Sequence, residues 1–453
     1  MMEDSLHPIP ARGGDKKLFN LVFVIYQFLW HFAVPFVILR LWLRGKLEPG
    51  YRQHILERFG FYAPFSDFKS DVWIHAVSMG ETRAAVPLIE ELLANGKKVL
   101  LSHMTASGRS TSEQIFANAI VHGRLRQVYV PYDFCWPVLR FLRHFSPPEG
   151  LLIETELWPG LLFYAKKCNV PMYLINGRLS EKSFKKFMGW GSISQTMCQM
   201  LSGVAAQTEL DAKHYRALGI ENIQITGNLK FDVNLSNEQI CNGLDWKDNR
   251  WPNRHVIMAA STRVGEENIL INAIKAIHFE PKPLLLIVPR HLKRLPEIEE
   301  YVKEQNLKMV KRSDFVDSEL IPTEIDVLIG DSFGEMASYY ASSDIVVMGG
   351  TLLGTGGQNL IEPCALGKPV ILGPSTFNFK QVSQDAIACG AAISICSQNE
   401  RLSQNEMTQR LNSVLEQLLA QPEKIKAMGE QGIEFTYHHQ GATRKTMNFL
   451  KAN

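Results

Sequence analysis

The sequence predicts an α/β protein: two domains of stacked βαβ units, each built on a parallel sheet and facing a common cleft, behind an apolar N-terminal helix. Three observations carry this expectation. The chain has 453 residues, more than one ordinary hydrophobic core organises. From Val72 onward strand-like and helix-like stretches alternate, in two series interrupted by a polar stretch at Asn234–Arg254. Ahead of both series, Leu18 to Leu39 contains no formally charged residue.

Residues 1–17 are polar, contain Pro and Gly, and read as a tail. Residues 18–43 read as a membrane anchor helix, because the uncharged run reaches the roughly 20 residues that crossing a bilayer requires. Asn20, Gln27, His31 and Pro35 interrupt its apolar character, so a helix buried in one leaflet stays open beside a spanning one, and a buried soluble helix is the bland alternative. The run is too long for a cleaved signal peptide. Arg40, Arg44, Lys46, Arg52 and Arg58 after it outnumber Arg12, Lys16 and Lys17 before it. That bias puts the large C-terminal part in the cytoplasm, and the same cations suit anionic headgroups. Removing residues 1–39 is expected to release a folded core from membranes.

The first domain, residues 44–233, places strands at Val72–Val77, Val99–His103, Val128–Pro131, Leu151–Glu154, Met172–Asn176, Val204–Gln207 and Ile223–Thr226. Residues 234–254, polar and carrying Trp246, Trp251 and Pro252, read as a linker. The second domain, residues 255–453, places strands at Val256–Ala260, Leu284–Val288, Lys308–Val310, Val327–Ile329, Ile345–Met348, Val370–Leu372 and Ala392–Ile395. Helical stretches fall between the strands, the signature of stacked βαβ units on a parallel sheet.

Composition excludes several classes. Lys and Arg (48) nearly balance Asp and Glu (46), so the chain is no polycation built for nucleic acid. Seven cysteines without C-x-x-C spacing fit a reducing compartment. There is no D-x-D and no histidine pair at i, i+4, so no metal is expected.

The chemistry-bearing stretches follow strands, where ligands bind in open α/β sheets. Trp73-Ile74-His75-Ala76-Val77 leads into Ser78-Met79-Gly80-Glu81 and a helix, which puts the Glu81 carboxylate at a substrate position. The same four residues fit the S-x-x-E capping box, and both readings stay open. Glu154 and Glu156 follow the strand ending at Ile153, with Glu156 also suited to the first turn of a helix opened by Pro159. Gly227-Asn228-Leu229-Lys230 brings a lysine to a strand end, either solvated or part of the site.

In the second half, Ser261-Thr262-Arg263-Val264-Gly265-Glu266-Glu267 reads as a turn into a helix whose amides suit an anion. Pro289-Arg290-His291 ends a strand with a fixed cation for a phosphate or carboxylate. Phe333-Gly334-Glu335 repeats the strand–turn–helix pattern. The run Gly349-Gly350-Thr351 through Gly356-Gly357-Gln358-Asn359-Leu360-Ile361-Glu362-Pro363 allows close backbone approach to phosphate, and Glu362 can accept from ribose hydroxyls. It matches neither a dinucleotide fingerprint nor a P-loop.

Taken in order, H-A-V-S-M-G-E-T, E-T-E-L-W-P, G-N-L-K-F-D, V-P-R-H, G-D-S-F-G-E, G-G-Q-N-L-I-E-P and T-F-N-F-K (Thr376–Lys380) make the chain resemble the bacterial 3-deoxy-D-manno-octulosonic acid (Kdo) transferases. The resemblance runs from Leu41 to the C-terminus. It implies GT-B architecture, two Rossmann-like domains facing a cleft, on the cytoplasmic side of the inner membrane. It implies an inverting, metal-independent transfer of Kdo from CMP-Kdo to a tetraacylated lipid A precursor (lipid IVA), with no cofactor. By motif, Glu81 would be the general base, and Glu154 and Lys230 would support the transition state. Pro289, Arg290, Phe333, Gly334, Glu335, Asn359, Leu360, Ile361 and Glu362 would bind CMP. The rival enzyme is another GT-B protein using a UDP-sugar, a transferase or an epimerase. The non-enzyme rival is a two-domain sugar-binding protein, which a cytoplasmic orientation disfavours.

Overall fold

The computed structural model describes residues 16–46, 48–63, 68–232, 234–314, 320–397, 400 and 402–452. The tail at 1–15, with Arg12, and the domain-end positions 233 and 453 lie outside the described residues. The chain forms two compact units, residues 1–232 with 440–453, and residues 233–439.

The first unit is a seven-stranded parallel sheet: β1 (Val72–His75), β2 (Val99–His103), β3 (Leu125–Tyr129), β4 (Gly150–Ile153), β5 (Met172–Gly177), β6 (Gly203–Ala206) and β7 (Ile223–Ile225), in the order β3-β2-β1-β4-β5-β6-β7. Ile74 pairs with Leu101 on one side and Leu151 on the other. The central strands are buried throughout, as continuous apolar strands in a parallel sheet must be. Alternate side chains feed two cores: Trp73, Leu100 and Leu152 under one face, Ile74, Leu101 and Ile153 under the other.

The second unit repeats the plan with β8 (Val256–Thr262), β9 (Leu284–Pro289), β10 (Met309–Lys311), β11 (Val327–Ile329), β12 (Ile345–Met348), β13 (Val370–Leu372) and β14 (Ala392–Ser394), in the order β10-β11-β9-β8-β12-β13-β14. Every strand expected from the sequence is present, with ends displaced by a few residues at most. In each sheet the strand order reverses next to the first strand, between β1 and β4 and between β8 and β12. These switch points open a crevice at the carboxyl ends.

Three expectations need correction. Residues 234–254 are not a bare linker: Asn237–Arg250 is a helix of the second unit, and Gly243 lies so close to its neighbour that an added Cβ would sit 2.2 Å from the Ser338 carbonyl. The last helix, Ala442–Ala452, belongs to the first unit rather than to a domain 255–453. There Ala442 and Phe449 enter the core beneath β1 and β5, and the Gly441 amide donates to Asp232 at 2.6 Å. A helix's sequence records that one face is apolar, not which sheet covers it. The N-terminal helix, Lys16–Arg44, is likewise no separable appendage, because Phe19 and Phe23 are part of the first unit's other core.

Candidate active site

The two switch points collect the sequence motifs. At the first, Glu81 follows β1 in the opening turn of helix Met79–Ala94, and Glu154 follows β4 directly. The Glu81 carboxylate accepts from the Val77 amide at 2.7 Å and the Ser78 hydroxyl at 2.9 Å, while the Glu81 amide donates back to Ser78 Oγ at 3.4 Å. The Ser78 half of the S-x-x-E box is therefore made, while the Glu81 carboxylate takes the Val77 amide instead of the Ser78 amide, and these bonds fix it beside the crevice. Burial pushes the Glu81 pKa up to about 7; the charge of Glu156 and, less, that of Glu154 push the same way, against the hydrogen bonds. A carboxyl near 7 is matched to taking a proton at physiological pH.

Glu154 adopts φ +64, a left-handed conformation that costs a β-carbon residue roughly 1–2 kcal/mol. Its side chain is held at 2.7 Å from Lys230 Nζ. Lys230 stands on the short turn Leu229–Phe231 after β7, and that turn is pinned by Asn176 Oδ1 on β5, which accepts from the Leu229 amide at 3.0 Å. Glu156, whose carboxylate accepts from Trp158 Nε1 at 2.7 Å, was readable in sequence only as an acid at a helix start. It joins Glu81 and Glu154 electrostatically; the E-x-E spacing after a strand was the available signal.

The second switch point gathers cations and glycines. Arg290 follows Pro289 at the end of β9, and its amide donates to the Thr262 carbonyl on β8 at 3.1 Å. Arg263 Nη1 lies 3.3 Å from His291 Nε2. Burial, and then the charges of Arg263, Arg290, Lys293 and Arg294, hold the His291 pKa down. Beside it, Gly350, Gly354, Gly356 and Gly357 all have positive φ, and a Cβ at Gly349 would fall 2.4 Å from the Ser261 carbonyl. Phe333 is 75% exposed, next to Gly334 at φ +86. Glu335 accepts from Ser332 and from Arg312 Nη2. Asn359 stands two residues ahead of helix Ile361–Ala365: its Oδ1 accepts from the Ile361 amide at 3.1 Å and its Nδ2 donates to Glu362 at 3.0 Å. Leu360 and Ile361 are wholly buried, so they offer a ligand only their backbone.

Glu266 is the residue sequence reading missed. Fully buried, it accepts from the amides of Arg263 (2.8 Å), Gly350 (2.8 Å) and Leu352 (3.0 Å), tying the ends of β8 and β12 together. Amides read as free for an anion are thus partly taken by the chain's own carboxylate. The signal was the pair Glu266-Glu267 at a helix start, and Glu267 is equally buried, on Arg294 at 2.7 Å. Among the described residues, no group of three His, Cys, Asp or Glu side chains is placed to hold a metal ion.

Two Rossmann-like units, each with its polar constellation at a switch point, make up a GT-B architecture. A family model described as 3-deoxy-D-manno-octulosonic-acid transferase matches residues 53–233. The 3-deoxy-D-manno-octulosonic acid transferase of Bordetella pertussis is 40% identical over 438 residues, covering 94% of this chain and 98% of that protein. Its counterpart in Haemophilus influenzae is 31% identical, covering 94% and 97%. The chain belongs to the Kdo transferase family, and it is a Kdo-transferring enzyme. Among solved structures, UDP-GlcNAc 2-epimerase from Neisseria meningitidis bound to UDP-GlcNAc aligns with TM-score 0.55 at 17% identity, covering 84% of this chain and 100% of that one. At that identity the likeness is one of fold.

Proposed function

We propose that the chain transfers Kdo from CMP-Kdo to a sugar hydroxyl of the tetraacylated lipid A precursor (lipid IVA), with inversion and without a bound metal. Glu81 takes the hydroxyl proton as the oxygen attacks the anomeric carbon, and the bond from that carbon to the CMP phosphate breaks. Glu154 and Lys230 act beside the reacting centre, where an oxocarbenium-like carbon favours nearby negative charge. CMP is held by Pro289, Arg290, Phe333, Gly334, Glu335, Asn359, Leu360, Ile361 and Glu362. With no metal, Arg290 and its neighbouring cations receive the departing phosphate charge. The N-terminal helix keeps the enzyme on the cytoplasmic face of the inner membrane, where the acceptor's acyl chains lie.

The observation that supports this reading most is Glu81: a carboxyl at the β1/β4 switch point with its pKa raised to about 7. The test is transfer from labelled CMP-Kdo to the tetraacylated acceptor, with CMP and UDP as competitors and after EDTA treatment. Product formation inhibited by CMP, insensitive to UDP and unaffected by EDTA is expected. Preference for a UDP donor, or activity lost to EDTA and restored by magnesium, contradicts it.

A further inference from the structure

The N-terminal helix carries two apolar stripes on opposite sides. At about 100° per residue, Phe19, Phe23, Tyr26, Trp30, Val37 and Leu41 fall on one side, and Leu21, Ile25, Phe28, Phe32, Phe36 and Leu39 fall on the other. The first stripe is docked on the first unit along its whole length. Phe23 packs on Phe163 with ring centroids 4.4 Å apart, and Trp30 stacks on Phe134 at 5.8 Å. Tyr26 donates to Asp133 Oδ2 at 2.8 Å, and Leu41 is only 5% exposed. Asp133 is 1% exposed and also accepts from the Gly160 and Leu161 amides at 2.8 and 2.6 Å. The second stripe is bare: Phe28 is 62% exposed, Phe32 61% and Phe36 74%.

This geometry conflicts with a spanning helix. The docked stretch from Phe19 to Leu41 is about 33 Å long at 1.5 Å per residue, matching the roughly 30 Å of hydrocarbon in a bilayer. A helix crossing the bilayer would have to strip every one of these contacts, leaving Asp133 without Tyr26, or draw the unit's polar surface into lipid. Laid flat, the helix keeps its docking stripe and gives the bare stripe to acyl chains. At its C-terminal end Arg52 and Lys46 lie over the Trp42 ring at 4.9 and 5.0 Å, beside Arg40 and Arg44: an aromatic and four cations suited to the headgroup layer.

We infer that this helix lies in the plane of one leaflet of an anionic bilayer, docked on the first unit by one stripe and inserted by the other, so that the chain before and after it is on the same membrane face. The inference rests on the membrane association proposed above. To test it, epitopes are placed ahead of Lys16 and after the C-terminus of the full chain expressed in a Gram-negative cell, and protease is added to spheroplasts or inside-out vesicles. Both epitopes should survive in spheroplasts and both should be cut in inside-out vesicles. Loss of only the N-terminal epitope in spheroplasts means the helix spans, and overturns the inference while leaving the membrane association intact. Recovery of the protein from the soluble fraction instead overturns the association itself.

A second measurement uses purified protein and phosphatidylglycerol-containing vesicles. Phe28→Glu with Phe32→Glu should weaken vesicle binding by at least roughly 30-fold, the scale of withdrawing one buried Phe from hydrocarbon, with the thermal melt unchanged. If the variant binds vesicles normally but turns a dimer into a monomer, the stripe is covered by a second copy and the inference fails.

Discussion

Lys230 Nζ donates to Glu154 Oε1 at 2.7 Å, joining the end of β4 to the turn after β7. Both side chains are about one-fifth exposed, so the pair is neither a surface salt bridge nor a sealed one. It holds a left-handed glutamate in place beside Glu81.

If the pair acts as a unit on the reacting centre, Lys230→Met and Glu154→Gln should each lower turnover by roughly 10²-fold, the scale of losing one fixed electrostatic contact. The double variant should be little worse than either single one. Steady-state kinetics on the three variants decide; fully additive losses would mean that the two residues do not act together.

The rate should rise with pH through about 7, because Glu81 must be ionised to accept a proton. Glu156→Gln removes a repelling charge and should move that limb to lower pH. Stability carries the opposite sign. A carboxyl raised in the folded state stabilises fully below its unfolded value of 4.5, and that contribution is lost as pH rises through about 7. Glu81→Gln should therefore gain stability relative to the parent on the alkaline side. A pH–rate profile and paired melts at pH 5 and 8 check both.

Glu266→Gln replaces an acceptor of three amides, two of them buried, by a group that also donates. Each amide left unpaired costs about 1–3 kcal/mol, so the melting temperature should drop by several degrees. The Gly349–Gly357 loop loosens with it, and CMP should bind about tenfold more weakly. Calorimetric CMP titration at the parent affinity would show that the loop does not need this carboxylate.

His75 and His103 are wholly buried, and burial lowers their pKa values to about 4 and about 3, against an ordinary 6.5. The stability they contribute above pH 6.5 is lost as pH falls toward 4. Melts of the full chain from pH 8 to 5 should fall more steeply than those of His103→Gln. Parallel curves would count against these buried neutral imidazoles.

Much of this was legible in the sequence, for a physical reason. Parallel strands covered on both faces are written as continuous apolar runs such as Val327–Ile329 and Ile345–Met348, and Glu81, Glu154 and Arg290 could be placed at strand ends because they follow such runs. What stayed hidden depends on long-range packing. Nothing local to Ala442–Ala452 says that it covers the first sheet. Nothing local to Glu266 says that its carboxylate will meet Gly350, 84 residues on. The apolar helix at Lys16–Arg44 was legible as lipid-compatible, but its two opposed stripes read as a helix apolar all round until Asp133 and Phe163 are set against one of them.

The central claim is that Glu81 is the base that activates the acceptor hydroxyl. Glu81→Gln keeps the size of the side chain and an oxygen for the Val77 amide, yet it cannot take a proton. Single-turnover transfer of Kdo by this variant at pH 8, with CMP binding and the thermal melt recorded on the same sample, tests the claim directly. Transfer slower by at least roughly 10²-fold, with CMP affinity kept and the fold intact, is the predicted result. Near-normal transfer accompanied by a stability loss of around 1 kcal/mol would make Glu81 a helix cap and nothing more.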